Sequence, residues 1–380
     1  MRGAEAIGDG WRMRVSRPSL PDLDRYTEVV ADIWDRGILS NQGPCANAFE
    51  AAFASYTGVT GHVRCASSAD LGLALAVRAL GLPKGARALV PSLGFPSSVH
   101  ALEWNGLRPQ FVDVDAGDWC LHAEQLAGLA DGAAVIVATH LFGVTCDVVG
   151  LEEVARASGA ALVLDAAQAV ATTVGPRHAA DFGDAAVVSF SGTKAITAAE
   201  GGIAVLRSDE VAERFARLRS YGLDADRASV DCGSNAKLSE LHAALGVLSL
   251  AEADPALDAR RRLVDRYRAR LADVAGVTLQ LRPPGTVATP TYFAVALEGA
   301  RDHVAAALAD EQIEARRYFP ALHVMARLAT TDGAPLPVTD RLAASLLALP
   351  LHAGLGLADV DEVCDVVIAA LDQPRRCEGW

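Results

Sequence analysis

The chain has 380 residues, 51% hydrophobic and 21% charged, a balance that supports a large buried core and excludes a disordered polymer. At about 150 residues per domain, the length predicts two domains. Lys and Arg number 34 against 47 Asp and Glu, a formal charge of −13 with no basic run, so nucleic acid and acidic membranes are not expected partners. Seven cysteines, Cys45, Cys65, Cys120, Cys146, Cys232, Cys364 and Cys377, form no CxxC pair. That pattern predicts free thiols in a reducing compartment, with neither a disulfide framework nor a metal centre. The first residues lack an apolar leader, and no apolar run approaches the 18 or so residues of a membrane span. A soluble, cytoplasmic protein is expected.

From residue 60 to about 206, short apolar runs alternate with helical patterns. The runs are ALVP (88–91), PQFVDVD (109–115), AAVIVATH (133–140), ALVLDAA (161–167), AAVVSF (185–190) and GIAVLR (202–207). The helical stretches are DLGLALAVRAL (70–80), SVHALEW (98–104), LEEVARAS (151–158) and EVAERFARLRS (210–220). Continuous apolar runs mark strands covered on both faces, so this part predicts an α/β domain with a large, mainly parallel sheet. Two long helices follow, 239–254 and 256–274, broken near Pro255. A strand-like 291–297, a helix near 302–310, a strand-like IEARRYF (313–319) and a helix from Asp359 to Leu371 complete a smaller α+β domain. The expected division is 1–254, an N-terminal arm plus the large domain, and 255–380.

In open α/β sheets, ligands sit beyond the carboxyl ends of the strands. There the sequence places Asp165 after ALVL, Ser189 after AVV, Lys194 in the loop after SFSGT, and Pro91 to Phe95 after ALV. Singly, each has an ordinary explanation: helix cap, strand-end hydroxyl, solvated lysine, core aromatic. Jointly they fit pyridoxal 5'-phosphate, which needs an amine for covalent attachment and a carboxylate to keep the pyridine nitrogen protonated. SSADL (67–71) opens a helix whose hydroxyls and free N–H groups suit the phosphate, and Phe95 suits the ring face. No GxGxxG follows a strand, so a nicotinamide cofactor has no support.

With these residues in place, the chain from about Leu39 to Leu371 resembles the fold-type-I sugar aminotransferases of the DegT/DnrJ/EryC/StrS family. The matching motifs, in order, are ILSNQGP (38–44), VPSLGFPSS (90–98), ALEWNGLRPQFVDVD (101–115), THLFG (139–143), LDAAQA (164–169), SFSGTK (189–194), AEGG (199–202), GSNAKLSELHAALG (233–246) and ARRYFPALH (315–323). The resemblance implies that Lys194 carries the covalent link and then shuttles the proton. It pairs Asp165 with the pyridine nitrogen and sets Gln168 beside the ring's 3-hydroxyl. Ser67, Ser68 and Ser189 take the phosphate, and Phe95 stacks on the ring. Asn235 reaches the phosphate of a partner subunit, which implies a homodimer with shared sites. The chain departs from the family at Ser191, where His is common, and at Ser67–Ser68, where Gly–Thr is common. The family's dehydrases carry His in place of the lysine, so Lys194 implies amino transfer.

For substrate, the candidates are Asn41, His140, Arg316, Arg317, Tyr318 and His323, the last four on one short segment that offers donors to a diphosphate. His140 and His323 are equally readable as structural histidines. The expected activity is transfer of an amino group from L-glutamate to a nucleotide-linked keto-deoxysugar, with a dTDP-4-keto-6-deoxyhexose favoured. The alternatives are a non-nucleotide ketone such as an aminocyclitol precursor, or a regulatory protein that keeps the fold without turnover.

Overall fold

The alternating apolar runs become strands with alternate residues packed into different cores. The computed structural model describes residues 10–325, 327–328 and 334–372. In chain order its first unit comprises α1 (Leu23–Arg36), α2 (Pro44–Thr57), β1 (His62–Ala66), α3 (Ala69–Ala79), β2 (Arg87–Pro91), α4 (Pro96–Trp104), β3 (Arg108–Val112) and β4 (Ala133–Thr139). It continues through α5 (Val148–Ser158), β5 (Ala161–Asp165), the short β6 (Thr173–Val174) and β7 (Arg177–His178), β8 (Ala185–Ser189), β9 (Gly202–Leu206) and α6 (Asp209–Arg219). It ends with α7 (Glu240–Ala251), which packs on α2. The second part holds α8 (Ala253–Leu271), β10 (Thr278–Leu279), β11 (Thr286–Val287), β12 (Phe293–Ala296), α9 (Arg301–Asp310), α10 (Pro337–Ser345), β13 (Leu346–Leu349) and α11 (Leu357–Asp372).

Seven strands form the main sheet in the order β1-β9-β8-β5-β4-β2-β3. Strands β3, β2, β4, β5 and β8 run parallel, while β9 is antiparallel to both β8 and β1. Two reversals cancel, so β1 points the same way as the parallel set. Ser67 and Ser68 therefore emerge at the same edge of the sheet as Pro91, Thr139, Asp165 and Ser189. Leu162 and Leu164 pack into one core and Val163 into another, the two-sided burial that the uninterrupted apolar runs predict.

The expected break near Pro255 falls at Glu252, between α7 and α8. Pro255 itself sits in the first turn of α8, where a missing N–H costs nothing because that turn has no intrahelical acceptor for it. The strand-like 313–319 forms no strand; it makes isolated bridges, Met13 with Ile313 and Arg316 with Ala348. Its alternation reflects one-sided burial against β13, whose other edge pairs with β12. Met13 packs in the core of the second unit, and Leu351 N–H donates to the Val15 carbonyl at 3.0 Å, so residues 13–15 lie with the C-terminal part. Cys377 lies outside the described residues. Of the other cysteines, all six are free thiols, buried except Cys232. No helix among the described residues is long and apolar enough to cross a membrane.

Candidate active site

The carboxyl edge of the sheet opens into a cleft of about 370 Å³. Its walls include Ser68 after β1, Phe95 at the start of α4, Thr139 at the end of β4, Asp165 at the end of β5 and Gln168 after it, Ser189 at the end of β8 and Lys194 after it, and Tyr292, Tyr318 and Phe319 from the second unit. Strand ends supply the polar groups, and the C-terminal part supplies an aromatic wall.

Asp165 is buried and held from two sides. Ser98 Oγ donates to Oδ2 at 2.7 Å, and the Ala167 N–H donates to Oδ1 at 3.1 Å. Burial raises the carboxyl pKa, while these two bonds and the charge of Lys194 pull it down. A basic, fixed carboxylate at the floor of the cleft is suited to keeping a proton on a nearby ring nitrogen. Burial lowers the Lys194 pKa, with Asp165 the largest opposing influence. That shift favours the neutral amine that attacks a carbonyl. Lys194 Nζ also lies 5.9 Å from the centroid of the Tyr292 ring.

Ser68 caps α3, its Oγ accepting from the Leu71 N–H at 3.2 Å, so the positive end of that helix opens on the cleft. Gln168 Oε1 accepts from the Phe142 N–H at 2.6 Å, which fixes the side chain against the same wall. Phe95, about half exposed, meets Phe319 edge to face at 6.3 Å, and Phe319 stacks on Phe142 at 5.6 Å. Thr139 Oγ1 is buried on the cleft wall with no hydrogen-bond partner among the described residues. An orphaned hydroxyl beside a carboxylate and an amine is what a bound polar ring satisfies. Pyridoxal 5'-phosphate fits this donor set: amine, carboxylate, helix N-terminus with hydroxyls, and an aromatic face.

The structure brings together Ser68, Phe95, Asp165, Gln168, Ser189, Lys194 and Tyr318. Ser67 sits one residue outside the wall, its N–H bonded to the Ala236 carbonyl. Asn41 and Asn235 are exposed and absent from the cleft of their own chain. Four of the substrate candidates stand off the cleft wall. His140 is fully buried, its Nδ1 accepting from the Cys146 N–H at 3.2 Å, and burial pushes its pKa down to about 4, so it is a neutral structural group. Arg317 turns outward to Asp302 at 2.8 Å. His323 is held between Ser92 Oγ, 2.7 Å from Nδ1, and Asp340, 3.2 Å from Nε2, and does not reach the wall. Arg316 also stands behind the wall: it pairs with Glu314 and donates to Tyr318 Oη at 3.1 Å, so it acts on the cleft through the tyrosine.

Ser98, Thr139, Tyr292 and Phe319 were not singled out from sequence. Phe319 adjoins Tyr318 and Tyr292 opens the TYFAVAL run, so both carried a signal. Ser98 carried only its place three residues after Phe95.

A seven-stranded α/β sheet with a lysine, a buried aspartate and a helix N-terminus around one cleft defines a pyridoxal phosphate-dependent aminotransferase of fold type I. The sequence profile of the DegT/DnrJ/EryC1/StrS aminotransferase family matches residues 23–368, and the chain belongs to that family. It is 33% identical over 376 residues to GDP-perosamine synthase of Caulobacter vibrioides, covering 95% of this chain and 98% of the relative. It is 29% identical to dTDP-4-amino-4,6-dideoxy-D-glucose transaminase of Shigella dysenteriae, covering 90% and 94%. The crystal structure of DesI, studied in the presence of its TDP-sugar product, superposes with a TM-score of 0.89 at 35% identity over 96% of this chain and 94% of DesI.

Proposed function

We propose that this aminotransferase moves the amino group of L-glutamate onto a nucleotide-linked 4-keto-6-deoxyhexose, with dTDP as the nucleotide. The observation that carries the reading is the Lys194–Asp165 pair in a cleft of about 370 Å³ lined by the sheet's carboxyl edge on one side and by Tyr292, Tyr318 and Phe319 on the other. The names of the relatives support the substrate class. One is a dTDP-4-amino-4,6-dideoxy-D-glucose transaminase, and another, 30% identical and from Saccharopolyspora spinosa, is a dTDP-4-dehydro-2,3,6-trideoxy-D-glucose 4-aminotransferase. Both act at carbon 4 of a dTDP-sugar.

Bound pyridoxal phosphate would supply an electron-withdrawing ring and a carbonyl that exchanges amines. This chain's residues do the rest. Lys194 holds the cofactor and then moves a proton at the substrate carbon; Asp165, fixed by Ser98, keeps the proton on the ring nitrogen. Gln168 would face the 3-hydroxyl, Ser67, Ser68 and Ser189 the phosphate, and Phe95 the ring. Tyr318, braced by Arg316, would meet the sugar, and Asn41, outside the cleft of its own chain, would do so in the partner's site.

The substrate class is tested by offering dTDP-linked and GDP-linked 4-ketohexoses, the free ketosugar and a cyclitol ketone with glutamate, and reading products by mass. Binding energy from the nucleotide is remote from the ketone, so the free sugar should lose kcat as well as affinity. Equal turnover of a free ketosugar or cyclitol would replace this reading. GDP-linked turnover alone would keep the reaction and overturn the choice of nucleotide.

The active unit in this reading is a homodimer in which Asn235 serves the partner's cofactor phosphate; its exposed position outside its own cleft supports that arrangement. Asn235→Ala alone should hold cofactor weakly. Coexpressed Asn235→Ala and Lys194→Ala chains, isolated as the mixed dimer by two tags, should regain one intact site. A mixed dimer as inactive as its parents would exclude sharing.

A further inference from the structure

Strand β1 ends the main sheet, so its outer edge has no strand to pair with. The open groups at Cys65 are taken up by a charge pair instead. The Cys65 N–H donates to Glu50 Oε1 at 2.8 Å, and Arg219 Nη1 donates both to the Cys65 carbonyl at 2.6 Å and to Glu50 Oε1 at 2.9 Å. The side chains are 6% exposed for Arg219 and 14% for Glu50. An edge strand satisfied by a buried carboxylate and guanidinium is an expensive solution where an ordinary loop would serve.

What the pair adds is connection. Arg219 also acts through its backbone: its carbonyl accepts from the Ala236 N–H at 3.0 Å, and the Ala236 carbonyl accepts from the Ser67 N–H at 2.8 Å. Ser220 bridges Asn235 directly. Glu50 reaches the other way, since Gln42 Nε2 donates to its Oε1 at 2.8 Å, and Gln42 adjoins Asn41 in a turn of left-handed residues. One buried pair therefore fixes the turn with Ser67 and Ser68, the loop with Asn235 and the loop with Asn41.

We propose that Glu50 and Arg219 are positioning residues for the phosphate end of the cofactor site, acting through Cys65 and Ala236 without touching the cofactor. The proposal rests on the assignment of Ser67 and Ser68 to the phosphate. Its signature is selectivity: loosening the pair disorders the phosphate-binding turn after β1 while the lysine, which follows β8 two strands away in the sheet, keeps its place.

The test titrates the apo forms of the wild type, Glu50→Gln, Arg219→Lys and Ser68→Ala with pyridoxal phosphate and, separately, with pyridoxal, which lacks the phosphate. The readout is the visible absorbance band of the covalently held ligand. Hydrogen bonds to charged groups contribute roughly 1.5–3 kcal/mol, so Glu50→Gln and Arg219→Lys should weaken pyridoxal phosphate about tenfold or more. Pyridoxal binding should stay unchanged, and the ³¹P resonance of the bound phosphate should move. Equal losses for both ligands would show a merely structural pair and overturn the proposal, as would no loss for either. If Arg219→Lys yields no cooperative melt, Glu50→Gln decides, because the amide keeps the volume and the acceptor for Cys65. Ser68→Ala separates the two failures. If it leaves the preference for pyridoxal phosphate intact, the phosphate assignment is wrong; if it alone abolishes the preference, only the positioning role falls.

Discussion

Lys194→Ala should fold, bind pyridoxal phosphate without covalent attachment and show no turnover. The substitution removes two functions at once, the amine that captures the cofactor and the base that moves the proton. A positioned general base alone contributes typically about 10²–10⁴-fold, so the combined loss should exceed that range. Borohydride reduction followed by peptide mass mapping should place the label on Lys194 in the wild type and nowhere in the variant. The pH dependence of capture follows from the lowered pKa of this amine. Capture requires the unprotonated form, so the rate with apoenzyme should rise with pH and level off below the ordinary lysine range. A variant that turned over normally would end the assignment. A rate still climbing across the full lysine range would show that burial does not tune the amine.

The strand ends were legible because each apolar run stops at a polar residue, and sheet geometry then aligns those stops. Asp165, Ser189 and Lys194 converge for that reason, and the cancelling reversals of β9 bring Ser68 to the same edge. Ser98 was not legible: it lies on a helix, 67 positions before the carboxylate it holds, and no local period encodes that meeting. The segment from Arg316 to His323 shows the opposite case. Four donors on one short stretch suggested a common face, yet in extended chain neighbours point to opposite sides. Tyr318 takes the cleft, Arg316 lies on its side two residues back, and Arg317 is turned to Asp302. Thr139 lines the cleft while His140, the next residue, is turned into the core, a difference of one position that no sequence pattern marks.

The second large effect belongs to Asp165. Asp165→Asn keeps the shape: its Oδ1 can accept from the Ala167 N–H while its Nδ2 donates to the Ser98 hydroxyl, so the variant should fold and still capture the cofactor through Lys194. A neutral amide cannot hold the ring nitrogen protonated, and the ring then draws electrons poorly from the substrate carbon. Removing one aimed electrostatic group of this kind costs about 10²–10³-fold in kcat, with KM for glutamate, the proposed donor, little changed because Asp165 would meet the cofactor ring and not the amino acid. Single-turnover absorbance changes with glutamate measure the half-reaction directly. Ser98→Ala supplies the graded control: it removes only the 2.7 Å bond to Oδ2, leaving the charge, and should lower the same rate by a smaller factor. The loss of that donor also removes one of the influences that hold the Asp165 pKa down. A near-normal kcat in Asp165→Asn would reduce this residue to a cap for the turn at Ala167. A Ser98→Ala defect as deep as that of Asp165→Asn would mean that geometry at this carboxylate matters as much as its charge.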